Sequence, residues 1–260
     1  MFPYKDENPT LHPTIVTWAL VGLNVAVWVL VQGMGSEPML TRSVCQLGLI
    51  PGELLGRLAE GSQIRLGPTA SCQIGAPNLV TPVTSMFLHG GWLHLLGNMM
   101  FLWVFGDNVE DSMGHGRFVV FYLLCGLAAA GAQMAINPGS PVPMVGASGA
   151  IGGVMGAYVV LYPKARIRVL IFFGLIFTIV VPAYLMLGYW FLLQLLGGLP
   201  SIGREGGGGG VAFGAHIGGF IAGALAISLF KSPERVALHR QSVARMQGAW
   251  GRYHRGGGYR

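Results

Sequence analysis

The stretch PMVGASGAIGGVMGAY, residues 143–158, places one serine among glycines and alanines in an otherwise apolar chain. Its glycines recur at spacings of three and four residues, which on a helix form a stripe where a second helix can approach closely. This spacing predicts a tightly packed membrane helix. Because the Ser148 hydroxyl gains nothing from lipid, it is a candidate functional group near the start of that helix.

The composition of the whole chain indicates a polytopic membrane protein rather than a soluble enzyme. Of 260 residues, 52% are hydrophobic and 10% are charged, and the mean hydropathy is +0.57. Soluble domains carry about 25% charged residues. Runs of about 20 apolar residues predict transmembrane helices. Six such runs are present, at 14–32, 90–106, 117–136, 147–163, 168–198 and 211–230.

The sequence therefore predicts an all-α bundle of six transmembrane helices, with a long segment, 33–88, between the first two. The run 168–198 is unusually long, since as a straight helix it would reach ~46 Å against a hydrocarbon core of ~30 Å. We expect Pro182 to kink this helix and its far end to enter the membrane only partly.

The basic residues predict the orientation. With six spans, twelve of the 16 lysines and arginines lie on the side of the termini and four on the other. This asymmetry predicts that both termini lie in the cytoplasm. The membrane is expected to be the inner membrane of a bacterium. We expect a cytoplasmic segment at 1–13, a membrane domain at 14–230 and a basic tail at 231–260. The first apolar run is expected to stay as a signal anchor, and the tail is expected to contact anionic lipid rather than nucleic acid.

Four polar side chains lie at predicted membrane depth, which makes them functional candidates. His94 and Asn98 share one face of the second helix, Ser148 begins the fourth, and His216 lies near the start of the sixth. These three helices run in the same direction. The topology therefore brings all four residues to the outer end of the bundle.

This set of residues fits nucleophilic acyl transfer. A serine hydroxyl becomes a strong nucleophile when an adjacent base takes its proton, and His216 is the candidate base. His94, Asn98 and the backbone N–H of Ser148 can donate hydrogen bonds to an oxyanion. None of the ten acidic residues lies within a predicted span. We therefore expect a Ser–His dyad in which packing orients the histidine, with no metal and no cofactor.

Other interpretations remain open at this stage. A serine or histidine in a membrane helix can serve packing alone, and glycine-rich helices also occur in transporters. A transporter, however, predicts polar residues at mid-membrane rather than only at outer helix ends. His89 and His94 are five residues apart, which does not suit joint metal ligation. Cys45 and Cys72 can form a disulfide in an oxidising compartment, but the sequence leaves their pairing open.

Three motifs, HGGWLHLLGNMMFLWVFGDNVED, GASGAIGG and AHIGG, stand in this order on alternate predicted helices. Together they resemble the rhomboid intramembrane serine proteases over about 80–231. The resemblance implies Ser148 as nucleophile, His216 as general base, and His94 and Asn98 as oxyanion donors. It also implies a first loop partly in the outer leaflet, a lateral gate near Trp190, and a loop at 199–214 that caps the site.

The resemblance further implies a structural role for Glu110 at a helix end and transmembrane proteins as substrates, cut near the outer membrane boundary. One position departs from the family. Many relatives carry an aromatic residue four positions after the serine, packed on the histidine, where this chain has Gly152. The rival within the family is a pseudoprotease that binds membrane helices without cleaving them. The oligomeric state is not indicated by the sequence.

Overall fold

Helices supply most of the regular structure. The computed structural model describes residues 2–67, 70–198 and 212–256. Its α-helices are α1 Ile15–Leu30, α2 Met39–Leu47, α3 Pro51–Leu54, α4 Thr81–Thr84, α5 Trp92–Met113, α6 His115–Ile136, α7 Ser148–Leu161, α8 Ala183–Gly198, α9 Phe213–Phe230 and α10 Pro233–Gly256. Its strands are β1 Phe2–Asp6, β2 Gln63–Arg65, β3 Ser71–Gln73, β4 Arg166–Phe173 and β5 Leu175–Pro182. Short 3₁₀ turns lie at Gly33–Gly35 and Ser85–Phe87.

The central element is α7, which packs against α5, α6 and α9. All of its residues are buried except Ser148, Val159 and Val160. Glycines permit the contact with α9, as their spacing predicts. A Cβ atom at Gly219 or Gly223 would overlap the carbonyl oxygens of Gly149 or Gly153. The two backbones therefore lie in direct contact, and α7 and α9 begin at the same end of the bundle.

The membrane-like character of the helices agrees with the sequence, although the six-span count stays a prediction. Within the described ranges, α6 and α9 are each long and apolar enough to cross a bilayer, and α1, α7 and α8 are shorter apolar helices. The second predicted span extends further than expected. Asp107, Glu110 and Asp111 follow the predicted span, which ends at 106, but they lie in the last turns of α5.

The prediction of one long helix at 168–198 is wrong in its first half. Residues 166–182 form the antiparallel β4–β5 hairpin, and only the second half is helical. The hairpin segment is rich in β-branched and aromatic residues, which favour strands. Gly174, at φ +71°, supplies the left-handed turn between the strands. Pro182 ends β5 and precedes α8 instead of kinking a helix.

The N-terminal segment contributes the third strand of this sheet. The strand order is β1-β4-β5, with β1 antiparallel to β4. The sheet lies at the end of α7 opposite Ser148. At this same end the Glu110 carboxylate accepts hydrogen bonds from the backbone N–H groups of Val16 and Thr17, 2.9 and 2.7 Å away. The contacts of Glu110 cap the start of α1, which agrees with the structural role implied for it.

The segment between α1 and α5 contains α2, α3, a two-stranded β2–β3 ribbon and α4. Cys45 of α2 and Cys72 of β3 form a disulfide bond, with Cα atoms 5.3 Å apart. The segment also contacts the chain just before α7, since the backbones of Leu49 and Met144 exchange two hydrogen bonds of 3.1 and 2.7 Å. These contacts hold the segment that leads into Ser148.

Candidate active site

Ser148 and His216 meet at the end of the α7–α9 contact. Ser148 is the first residue of α7, and His216 lies in the first turn of α9. The Oγ atom of Ser148 is 2.8 Å from Nε2 of His216. This is hydrogen-bond distance between a hydroxyl and an imidazole nitrogen, the geometry in which a histidine can take the proton of a serine.

Gly152 lies beneath the histidine, at the position where many relatives carry an aromatic residue. A Cβ atom at Gly152 would be 3.0 Å from the carbonyl oxygen of His216 and 3.4 Å from the backbone nitrogen of Phe220. The missing side chain thus allows α9 to lie directly on α7. Aromatic contact comes from elsewhere, because the ring centroids of Trp190 and Phe213 are 5.8 and 6.5 Å from that of His216.

The second ring nitrogen of His216 has a partner that the sequence did not reveal. Oε1 of Gln194, on α8, lies 2.8 Å from Nδ1 of His216. The amide Nε2 of Gln194 donates to the carbonyl oxygen of Trp190 at 3.3 Å. The only signal for Gln194 was that it is the single amide in the apolar run WFLLQLLGG.

The Gln194 contacts determine which nitrogen of His216 carries the proton. A carbonyl oxygen only accepts, so the amide group facing Trp190 is NH₂ and the group facing His216 is the oxygen. Nδ1 of His216 must therefore donate. Nε2 is then left with its lone pair directed at the Ser148 hydroxyl, which is the tautomer that a general base requires.

The side chains of His94 and Asn98 both lie close to Gly146, two residues before Ser148. Nδ1 of His94 accepts from the backbone N–H of Gly90 at 3.3 Å, which leaves Nε2 of His94 as a donor. A Cβ atom built on Gly146 would lie 2.8 Å from Nε2 of His94 and 3.5 Å from Nδ2 of Asn98. Gly146 also has φ +127°. Both the backbone conformation and the close donors therefore require glycine here.

Asn98 is buried, and its Nδ2 atom has no hydrogen-bond partner among the described residues. A buried amide donor without an acceptor destabilises the folded protein, and such groups often have a catalytic role or bind a partner. Here the donor lies beside the backbone at Gly146, two residues from the serine. It can donate a hydrogen bond to a negatively charged oxygen that forms next to Ser148.

The cavity beside Ser148 is lined mostly by small side chains. Its walls come from the segment before α7, from α4, and from facing positions on α6, α7 and α9. The small residues among them are Gly126, Ala129, Ala130, Gly146, Gly149, Ala150, Ala212 and Ala215. Only a small group can enter such a space without displacing helix backbone.

His89 is buried next to His94, with ring centroids 5.2 Å apart. Its backbone N–H and carbonyl oxygen pair with the side-chain amide of Gln32 at 2.8 Å each. Within the parts of the chain that the structure describes, no three His, Cys, Asp or Glu side chains form a group that could bind a metal ion. The cap expected at 199–214 lies outside the described residues, except for 212–214.

Comparison with known proteins shows which family this chain is similar to. The family model described as Rhomboid domain matches residues 77–233. "Rhomboid protease GluP" of Bacillus subtilis (strain 168) is 36% identical over 166 residues, which cover 64% of this chain and 28% of that protein. "Rhomboid protein 1, mitochondrial" of Saccharomyces cerevisiae is 27% identical over 169 residues, covering 62% and 40%. "Putative rhomboid protease YdcA" of Bacillus subtilis (strain 168) is 38% identical over 80 residues, covering 31% and 38%. The chain thus spans less than half the length of each of these relatives, and its resemblance to the family is confirmed.

Proposed function

Because this chain belongs to the rhomboid family of membrane proteins, we propose that it is an intramembrane serine endopeptidase with Ser148 as nucleophile and His216 as general base. The observation that carries the proposal is the 2.8 Å contact between Ser148 Oγ and His216 Nε2. Gln194 supports it, since its contact with Nδ1 favours the basic tautomer at Nε2.

Each step of the proposed reaction uses a group already named. Ser148 Oγ attacks the carbonyl carbon of the scissile peptide bond while His216 Nε2 takes the hydroxyl proton. The carbonyl oxygen becomes an oxyanion. It accepts hydrogen bonds from Nε2 of His94, Nδ2 of Asn98 and the backbone N–H of Ser148. His216 then gives its proton to the departing amine, and the C–N bond breaks to leave an acyl-enzyme.

Hydrolysis repeats the sequence with water in place of the serine. His216 takes a proton from water, the resulting hydroxide attacks the ester carbon, and the same donors hold the second oxyanion. Collapse of this intermediate breaks the bond to Ser148 Oγ, which regains its proton from His216. No metal or cofactor enters these steps.

The substrate class follows from the surroundings of the serine. Gly126, Ala129, Ala130 and Gly149 contribute to the cavity beside Ser148, which favours a small residue immediately before the cut. Substrates are transmembrane segments of other proteins in the bilayer. Because a regular helix shields its peptide bonds, segments with locally unstable helices are favoured. Entry is proposed beside α8, whose Trp190 contacts the ring of His216.

Orientation is part of the proposal. The asymmetry of basic residues favours cytoplasmic termini, which puts Ser148 near the outer boundary of the membrane, proposed to be a bacterial inner membrane. The Cys45–Cys72 disulfide supports this orientation, because disulfides persist in oxidising compartments outside the cytoplasm. The membrane domain is proposed to run over 14–230, with the basic tail at 231–260.

The proposal is tested by activity-based labelling. A fluorophosphonate reacts with a serine whose hydroxyl is activated by a base. In detergent, wild-type protein should be labelled at Ser148, the Ser148→Ala variant should not be labelled, and His216→Ala should react far more slowly. Equal labelling of the wild type and His216→Ala would refute the base assignment. A folded wild type that is not labelled at all would favour the pseudoprotease.

A further inference from the structure

The β4–β5 hairpin has one apolar face and one face that carries its charged residues. Residues opposite each other in an antiparallel pair share a face, and successive residues alternate between faces. The pairs Ile167–Val181, Val169–Ile179 and Ile171–Phe177, with Leu175 next along β5, form one face. These seven side chains are all apolar. The other face carries Arg166, Arg168, Leu170, Ile176, Thr178 and Val180.

The apolar face begins under the helix bundle and continues beyond it. Ile167 and Val169 are fully buried in the same core as α5 and α7, and Ile179 and Val181 pack against that core. Towards the turn the protein cover ends. Phe177 is 48% exposed and Leu175 is 70% exposed. One continuous apolar surface is therefore covered by protein at its root and uncovered at its tip.

The opposite face is polar at the root. Arg166 and Arg168 are exposed and form ion pairs with Glu7 at 3.0 and 2.8 Å. The arginines lie on the side away from the bundle core. The root of the hairpin thus turns its charges to water and its apolar side chains to the ends of the membrane helices.

The hairpin is joined directly to the lipid-facing surface of the bundle. Helix α8 starts immediately after β5, and Tyr184 and Leu185 in its first turn are 50% and 53% exposed. Exposed apolar patches mark interaction sites. Here exposed apolar side chains lie on the first turn of α8, next to the root of the hairpin, and again at Phe177 and Leu175 near its tip.

We propose that the tip of the β4–β5 hairpin lies in the bilayer interface of the leaflet opposite Ser148, with Phe177 and Leu175 against the lipid acyl chains. At the root of the hairpin, the apolar face contacts the ends of the membrane helices. Beyond the edge of the bundle, the same face contacts phospholipid. The proposal rests on the membrane location of the chain and not on its proteolytic chemistry.

The edge of the sheet limits how deep the hairpin can lie. Strand β5 is the outer strand of the β1-β4-β5 sheet, so one side of its backbone has no strand partner among the described residues. Unpaired N–H and carbonyl groups are not tolerated in the hydrocarbon region. The hairpin therefore lies at the boundary between headgroups and acyl chains, as amphipathic interfacial segments do. The alternative is that a second copy of the chain pairs with the exposed edge of β5, since exposed strand edges can pair with other chains.

The test places one nitroxide label on each face of the tip. Phe177→Cys and Leu175→Cys probe the apolar face, and Thr178→Cys is the matched control on the other face, one residue from Phe177. The background carries Cys125→Ala and keeps the Cys45–Cys72 disulfide unreduced. Folding of each variant is checked by thermal unfolding. The full chain is reconstituted in vesicles of phosphatidylethanolamine and phosphatidylglycerol, and label collisions with oxygen and with a water-soluble nickel chelate are measured.

We expect the ratio of oxygen to nickel collisions to be several-fold higher at 177 and 175 than at 178, because oxygen concentrates in lipid and the chelate stays in water. Similar low ratios at all three sites would overturn the proposal. Spin–spin broadening at 177 that disappears on dilution with unlabelled chain would also overturn it, in favour of a second copy. Neither result would bear on Ser148, whose labelling by fluorophosphonate is measured separately.

Discussion

Oε1 of Gln194 lies 2.8 Å from Nδ1 of His216, while the other nitrogen of the same ring lies 2.8 Å from Ser148 Oγ. The imidazole is thus held between an acceptor on α8 and the hydroxyl on α7. A neutral amide takes the place that a carboxylate occupies in a Ser-His-Asp triad. It orients the ring and selects its tautomer without adding a charge at membrane depth.

We expect Gln194→Leu to lower kcat by about 10-fold to 100-fold, or ~1.4–2.7 kcal/mol, with little change in KM. The substitution removes the acceptor at Nδ1, so the imidazole is free to adopt the tautomer that cannot take the serine proton. Gln194→Glu keeps an acceptor and should recover more activity than Gln194→Leu. Leu196→Ala, at an exposed position of the same helix, is the control. A change in KM alone would instead indicate a role in substrate entry.

Asn98→Ala should slow single-turnover cleavage by on the order of 10²–10³, the usual loss for one oxyanion donor. Nδ2 of Asn98 is buried without a partner among the described residues, so its removal should cost little stability. Asn108→Ala is the matched control. Asn108 is also buried on α5 but pairs with Asn8 at the other end of the helix. The Asn108→Ala variant should be less stable than the wild type but should keep the wild-type cleavage rate per folded molecule. A near-normal rate for Asn98→Ala would remove Asn98 from the site.

Gly152→Ala should reduce both activity and stability, the latter by about 1–3 kcal/mol as for other overpacked cores. The added methyl group would press on the carbonyl oxygen of His216, 3.0 Å away, and move the ring from Ser148. Gly131→Ala on α6 is the control, because a Cβ there meets no atom within 4 Å. Thermal unfolding and fluorophosphonate labelling are compared for both variants. If Gly152→Ala is labelled at the wild-type rate, the packing of α7 on α9 does not position the histidine.

Ionisation of the Asp6 carboxyl should lower the stability of the folded protein as the pH rises from about 4 to 6. Burial raises the pKa of the Asp6 carboxyl from 3.8 to about 6, although the Tyr158 hydroxyl and Lys5 act in the opposite direction. The folded protein therefore binds more protons than the unfolded chain within this window, so its stability falls as the proton is lost. The shift corresponds to at most about 3 kcal/mol, and partial exposure reduces this to about 1–2 kcal/mol.

The Asp6→Asn variant checks this linkage, because the amide resembles the protonated acid. Thermal unfolding in detergent between pH 4 and 8 should give equal stability for both proteins near pH 4. The variant should be more stable near pH 7. A variant whose stability falls with pH in parallel with the wild type would assign the effect to other groups.

The elements that the sequence predicted best are those whose signal is local. The serine at 148 and the histidine at 216 stand next to glycines that let α7 and α9 touch, so spacing alone suggested their meeting. Hydropathy, in contrast, carries no information on the conformation of 168–182, where a β-hairpin is as apolar as a helix. Gln194 was missed because nothing in an apolar run shows which way a single amide points. The Cys45–Cys72 bond required distances that only the fold provides.

The most direct test of the central claim is cleavage of a transmembrane reporter by purified protein in liposomes, with the product ends identified by mass spectrometry. We predict that the wild type cuts a single peptide bond near one membrane boundary, after a small residue. Ser148→Ala should bind the reporter with similar affinity and leave it intact. Cleavage of the same bond by Ser148→Ala at a rate near that of the wild type would contradict the account. So would a folded wild type that binds the reporter and does not cut it.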